Sequence, residues 1–369
     1  MIVKTGMILI RRKLQKSIKN YKLMKIKRGP FGKTNNGEKV ELFTLSNDNQ
    51  VSITLMNYGG IVTSVNMPDK NGKVENIICG FNKLEDYTSE KYLTDCPYFG
   101  ALIGRYGNRI AKGVYNIDGN KYNGVINNGE NHLHGGIKGF DKKVWEAETF
   151  EKNGKVGVSL SYLSIDGEEG YPGNLKVYVR YCLDNQNRFT IKYEAETDKT
   201  TVVNFTNHTY FNLSAQKKDI LNHELEMPLA KNITESVDLI PTGKLIPVKG
   251  TAYDFTSKKK IGKDLPSPDG YDTNFVLDNP EGKLLLATIL SESESGRSIK
   301  VYTTQPGIQI YTGYYIPEFT IDGNKKYGKY TGVAMETQHY PDSPNHPEFP
   351  STLLKPGEKY SQTTQWKIG

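Results

Sequence analysis

Leu175-Lys176-Val177-Tyr178-Val179-Arg180-Tyr181-Cys182 and Phe189-Thr190-Ile191-Lys192-Tyr193-Glu194-Ala195 decide the fold, with Asp184-Asn185-Gln186-Asn187 between them. In the first stretch Leu175, Val177, Val179 and Tyr181 alternate with Lys176, Tyr178, Arg180 and Cys182. In the second, Phe189, Ile191, Tyr193 and Ala195 alternate with Thr190, Lys192 and Glu194. Successive side chains of a strand point to opposite faces, so a period of two marks a strand with one face buried. The polar break carries turn residues, and the whole reads as an antiparallel hairpin. Similar short runs recur to the C-terminus, and the 36 Gly and 17 Pro keep the segments between turns short. The expectation is an all-β protein with few short helices. No repeat or Pro-rich linker divides the body, so residues 26–369 read as a single domain.

Charge separates the first residues from that body. Of 48 Lys and Arg, 11 fall within residues 1–33, which hold no acid; the remaining 37 face 41 Asp and Glu. The body is mildly acidic and lacks the basic stripe that nucleic acid requires. In residues 1–25, Ile10, Leu14, Ile18 and Tyr21 fall on one helical face, as in a targeting or membrane-surface helix. The plainer reading is a disordered basic extension, or an upstream start before Met24. Scarce Ser and an excess of Lys over Arg weigh against a transit peptide. No apolar run approaches the roughly 18 residues that would span a bilayer, so no membrane partner is expected. Cys79, Cys96 and Cys182 form no CxxC pair, which points to a reducing cytoplasm. The expected assembly is a monomer or weak homodimer.

Three segments put unusual side chains on one strand face. Asn204, Thr206, His208 and Tyr210 oppose Val203, Phe205, Phe211 and Leu213; Gln309 and Tyr311 oppose Ile308 and Ile310; Glu336 and Gln338 oppose Val333 and Met335. A solvated face would carry Lys, Glu, Ser and Thr instead. Amides, aromatics and a carboxylate together resemble a sugar site, where rings stack and hydroxyls are bound. Tyr311 could supply such a ring, or pack as sheet.

His132-Leu133-His134 has a spacing that could place two imidazoles on a metal. The following Gly135-Gly136-Ile137-Lys138-Gly139 contains no Glu to complete a cupin-like set, so no metal is expected. The glycines read as a tight turn holding one imidazole near a ligand. His223, His339 and His346 stay unassigned. Arg105-Tyr106-Gly107-Asn108-Arg109 reads by itself as a surface turn with an ion pair, and Lys258-Lys259-Lys260 as a solvated loop. No GxxxxGK[ST] or GxSxG motif is present.

With these residues in view the chain resembles the galactose mutarotase (aldose 1-epimerase) family from about Pro30 to Lys367. The resemblance is carried by Gly104-Arg105-Tyr106-Gly107-Asn108-Arg109-Ile110, Leu133-His134-Gly135-Gly136, Asn207-His208-Thr209-Tyr210-Phe211-Asn212-Leu213 and Gly270-Tyr271-Asp272-Thr273-Asn274-Phe275. It continues in Thr303-Thr304-Gln305-Pro306-Gly307, Glu336-Thr337-Gln338 and Leu354-Lys355-Pro356-Gly357-Glu358. It implies a large antiparallel β-sandwich (the galactose mutarotase-like supersandwich) with an aldohexose in an open cleft and no cofactor. His208 matches the family's general acid, Glu336 its general base and His134 a second active-site histidine. Asn108, Arg109, Asp272 and Gln309 match residues that hold sugar hydroxyls.

The chemistry so implied exchanges anomers by opening and reclosing a hemiacetal. A proton must reach the ring oxygen while another leaves the C1 hydroxyl. An acid and a base on opposite sides of the ring suffice, each contributing about 10²–10⁴-fold. The expectation is a protonated His208 and an ionised Glu336 at neutral pH. Alternatives are a hexose-6-phosphate 1-epimerase, which would want two or more cations at the cleft mouth, and a sugar-binding module without catalysis. A glycoside hydrolase would pair Asp272 with Glu336 and leave His208 without a purpose.

Overall fold

In the computed structural model, which describes residues 24–266, 268–321 and 326–369, strands Leu175–Asp184 and Arg188–Thr197 pair antiparallel, Leu175 opposite Thr197 and Leu183 opposite Phe189. Residues 1–23, which contain nearly all of the basic extension, lie outside the described residues. Asp184 builds the turn between the strands: its Oδ1 accepts from the Gln186 and Arg188 amides at 2.8 and 3.1 Å. Leu175, Val177, Val179, Tyr181 and Leu183 are buried while Lys176 and Arg180 are exposed.

This hairpin supplies the third and fourth strands of a nine-stranded antiparallel sheet running from Glu146–Lys152 at one edge to Lys259–Lys260 at the other. A six-stranded antiparallel sheet has the order Tyr210–Phe211, Val333–Gln338, Gly307–Tyr311, Asp272–Leu277, Ala230–Val237, Ile240–Pro247. A third sheet of five strands spans Lys25–Lys33 to Val74–Asn76. One apolar core joins all three sheets, with Phe43, Leu45 and Ile53, Val177, Val179 and Ile191, and Phe275, Ile308, Ile310, Val333 and Met335 all in the same buried cluster. Among the described residues the α-helices are short, Leu84–Tyr87 and Glu90–Asp95. This is the all-β fold the alternation predicts and the β-sandwich the family resemblance implies.

Three local expectations are corrected. Lys259 and Lys260 form a strand against Glu224–Glu226, and the Lys259 ammonium bonds the Ala252 carbonyl at 2.7 Å and lies over the Phe255 ring. Long lysines bury their stems while the charge finds an acceptor, so Lys259 is drawn in although Lys258 and Lys260 stay exposed as expected. Arg105 and Tyr106 are buried rather than at a surface turn. The Arg105 guanidinium is spent on the Pro172 and Gly173 carbonyls and on Ser164. The 202–213 segment keeps its parity but is broken: Thr206–Asn207 pairs with Leu102–Ile103, and Tyr210–Phe211 pairs with Val333–Gln338. His208 sits in the gap between those pairings.

Candidate active site

The six-stranded sheet turns Ile308, Ile310, Val333 and Met335 into the core, so the opposite parity must face the other way. That face carries Asp272 opposite Tyr311, and Gln309 opposite both Asn274 and Glu336. Chain segments around Tyr98, Asn108 and His134 close over it. Together they enclose a cleft of about 400 Å³ lined by Tyr98, Asn108, Arg109, His134, His208, Asp272, Tyr311 and Glu336, among others.

Tight turns aim several of these groups. His134 has φ +51° and is followed by Gly135 and Gly136 at +85° and +99°. A Cβ at Gly135 would collide with the Gly104 carbonyl, so only glycine fits. Cys96, Tyr98 and Asn108 also have positive φ. For such residues this costs about 1–3 kcal/mol each, a burden that clusters where geometry is functional.

The Asn108 backbone N–H donates to His134 Nδ1 at 3.1 Å. Accepting there leaves the ring proton on Nε2, which makes His134 a fixed hydrogen-bond donor. Burial, then the neighbouring His208 and Arg109, hold its pKa well below the usual imidazole range. Asn108 Oδ1 accepts from the Arg109 backbone N–H, and Arg109 Nε donates to Asn128 Oδ1 at 3.1 Å, which orients the guanidinium fork.

His208 Nε2 lies 3.5 Å from Glu336 Oε1, with both side chains buried. Burial pushes His208 down to about 3. It raises Glu336 well above the ordinary carboxyl range, with Asp272 adding to the rise and Arg109 opposing it. Burial therefore works against the expected charge pair from both sides, pushing the imidazole toward its neutral form and the carboxyl toward its protonated form. Taking two charges out of water costs more than their attraction returns, and neutralisation avoids that cost. The spacing revises a second expectation. Groups 3.5 Å apart do not stand on opposite sides of a pyranose. They do not need to, because the ring oxygen and the C1 hydroxyl are bonded to the same carbon.

Gln309 does not line the cleft. Its Nε2 donates to Asp272 Oδ1 at 2.6 Å, which holds that carboxylate in place. The Tyr311 hydroxyl accepts from the Tyr315 amide at 2.7 Å, and its ring meets Tyr210 edge-on.

Sequence reasoning passed over Tyr98. Its ring stacks on His208 at 5.7 Å and meets His134 edge-on at 4.7 Å. Behind it the Lys142 ammonium sits 5.2 Å from the ring centre and is paired with buried Asp141. No local pattern marks Tyr98, since only the fold brings residues 98, 134 and 208 together. Asn128, Leu239 and Tyr315 join the lining in the same way.

His134, His208 and Glu336 present one ligand-type atom each, all within 4.8 Å, which raises the question of a metal. His134 does not fit one. A metal on Nε2 would force the proton onto Nδ1, against the Asn108 N–H. His132 fits no better: both of its ring nitrogens are engaged, by the Val125 carbonyl and the Tyr171 hydroxyl.

Residues 41–367 match the family profile described as Aldose 1-epimerase. The chain is 41% identical over 352 residues to galactose mutarotase of Rattus norvegicus, covering 94% of this chain and 99% of that one. It is 37% identical over 341 residues to aldose 1-epimerase of Escherichia coli K12, covering 90% and 96%. The crystal structure of galactose 1-epimerase from Lactobacillus acidophilus superposes with a TM-score of 0.80 at 30% identity, over 94% of this chain and 99% of that one.

Proposed function

The chain belongs to the aldose 1-epimerase family, and from that premise we propose that His208 and Glu336 exchange the protons that open and reclose an aldohexose ring. The protein is an isomerase that interconverts the α and β anomers of hexoses such as galactose and glucose. One observation carries the assignment of roles: an imidazole and a carboxyl lie 3.5 Å apart in the wall of a sugar-sized cleft.

The reaction needs one proton on the pair. From imidazolium and carboxylate, His208 gives its proton to the ring oxygen as Glu336 takes the C1 hydroxyl proton. The C1–O5 bond breaks and the aldehyde forms. The pair is then a neutral imidazole and a carboxylic acid, the state burial favours. After rotation about C1–C2, Glu336 returns its proton to the carbonyl oxygen while His208 takes one from the C5 hydroxyl, closing the ring on the other face. Arg109 favours the carboxylate needed at the start, and the His134 Nε2–H can hold an oxygen beside the pair. Asn108, Arg109 and Asp272, with Gln309 behind it, hold sugar hydroxyls, and Tyr311 offers a ring to an apolar sugar face.

An unphosphorylated sugar suits this cleft. Among its described lining residues Arg109 is the one guanidinium or ammonium, set against Asp95, Asp272 and Glu336. The same reading takes residues 26–369 as one domain that works without metal or nucleotide, as a cytoplasmic monomer or weak homodimer. The free cysteines support the compartment, and no helix among the described residues is long and apolar enough to cross a membrane.

Polarimetry of freshly dissolved α-galactose and α-glucose tests the roles. Glu336→Gln and His208→Asn should each slow enzyme-catalysed equilibration by about 10²–10⁴-fold while calorimetric sugar affinity changes little. A near-normal rate in either variant removes that residue from its role.

A further inference from the structure

The cleft face of the six-stranded sheet continues past Glu336 beneath the loop at Gly107. There it carries a group of buried polar atoms with no protein partner. Glu336 Oε2, both amide atoms of Gln338, both amide atoms of Asn274, Gln309 Oε1 and Thr206 Oγ1 all lack one. Each of the five residues is at most 4% exposed, which leaves no bulk solvent to satisfy them.

Their placement is contiguous. Asn274, Gln309 and Glu336 lie directly opposite one another on three adjacent strands, where facing Cβ atoms are about 4.5–5.5 Å apart. Gln338 is on the same face as Glu336, one pleat further along. A Cβ at Gly107 would stand 3.7 Å from Gln338 Oε1 and 3.2 Å from Thr206 Cγ2, which puts the Thr206 side chain and that amide beside one loop. A Cβ at Gly307, opposite Gln338, would stand 3.0 Å from Asn274 Oδ1. The outer side of Glu336 is accounted for: His208 faces Oε1, and Asp272, Arg109, Tyr210 and His134 are its ionisable neighbours. Its other oxygen, Oε2, is buried without a protein partner.

A buried donor or acceptor without a partner costs about 1–3 kcal/mol. Seven in one place would be a heavy burden unless something polar sits among them. Buried water answers that need when two to four polar partners converge. We propose that Asn274, Gln338 and Thr206 hold ordered water against Glu336 Oε2, and that this internal water is what lets so deeply buried a carboxyl become an anion during turnover. The amide N–H groups and the hydroxyl bind the water, and the water donates to Oε2. The three side chains are positioning residues acting on Glu336 through solvent. The proposal rests on Glu336 as the base but concerns how its ionised form is stabilised.

Removing the donors leaves protonated Glu336 unaffected and disfavours its carboxylate. Deprotonation of the pair then moves to higher pH, and the fraction of the pair in the charged starting form falls. The test uses Gln338→Met and Thr206→Val, which keep shape and remove hydrogen-bonding atoms. A high-resolution crystal structure of the full chain should show water within hydrogen-bond reach of Glu336 Oε2 and of Gln338 or Asn274. The alkaline limb of kcat/KM should move up by about one pH unit and the plateau should fall about tenfold. Loss of packing alone would lower the melting temperature without moving the limb. The inference is overturned if both variants keep the wild-type limb and plateau, or if Oε2 is bonded directly to protein donors with no water between. Full turnover in Glu336→Gln would instead overturn the role of Glu336 itself, a separate result.

Discussion

The Leu175–Thr197 hairpin and the strand Val333–Gln338 are both antiparallel β-structure, yet they are built on opposite terms. In the hairpin strand Leu175–Asp184 the inward residues are buried while Lys176 and Arg180 face water. In Val333–Gln338 all six residues are buried, on both faces. The hairpin's stability follows from its pattern, with apolar groups in and polar groups out. The second strand places a carboxyl and an amide where stability alone would place leucine. What separates them is what the covered polar face is for. A face cut off from bulk solvent raises the cost of charge, and that cost works against a standing ion pair between Glu336 and His208.

Substitutions break this contrast in graded ways. The largest effect is expected at the covered face, where Glu336→Gln and His208→Asn remove turnover and leave the fold intact. On the hairpin the reverse holds. Ile191→Ala should cost about 2–5 kcal/mol in urea unfolding through the cavity it opens, with kcat unchanged in the folded fraction. A smaller effect is expected at Tyr98→Leu. Losing its ring contacts with both imidazoles is worth about 0.5–1.5 kcal/mol, or several-fold in kcat/KM, with little change in melting temperature.

The pH dependence of stability sharpens the comparison further. Glu336 has a raised pKa when folded, so its contribution favours the folded state fully below the unfolded value of about 4.5. That contribution is lost as pH rises through the folded value. Glu336→Gln should therefore melt higher than wild type at about pH 8, and the gap should close as pH falls toward about 4.5. His208 has the opposite sign: its folded pKa of about 3 makes its contribution present above about 6.5 and lost as pH falls toward about 3. An unchanged gap across that range in Glu336→Gln would show that the carboxyl is solvated in the fold. The smallest effect is expected at exposed Lys176→Ala, within about 0.5 kcal/mol by the same unfolding assay.

Local alternation made the sheets legible, because one-sided burial writes a period of two into Leu175–Ala195 and its counterparts. The glycines after His134 likewise announced a tight turn. Residue types at the cleft could be picked out, but not their state. The sequence near His208 and Glu336 contains nothing that reports how dry their surroundings are, so a protonated imidazole was expected where burial disfavours one. Arg105 and Lys259 misled for the same reason. A charged residue in a turn-like context reads as exposed until the fold brings in the carbonyls that receive it, from Pro172 and Gly173 far along the chain and from Ala252 across a local turn. Gln309 shows the remaining limit, since a polar residue on the correct face can serve its neighbour Asp272.

The most direct test of the account is a crystal structure of the Glu336→Gln variant soaked with galactose. The account predicts a pyranose in the cleft with its C1 hydroxyl within hydrogen-bond reach of residue 336 and its ring oxygen within reach of His208. A sugar bound with C1 turned away from both side chains, or seated where neither touches it, would contradict it.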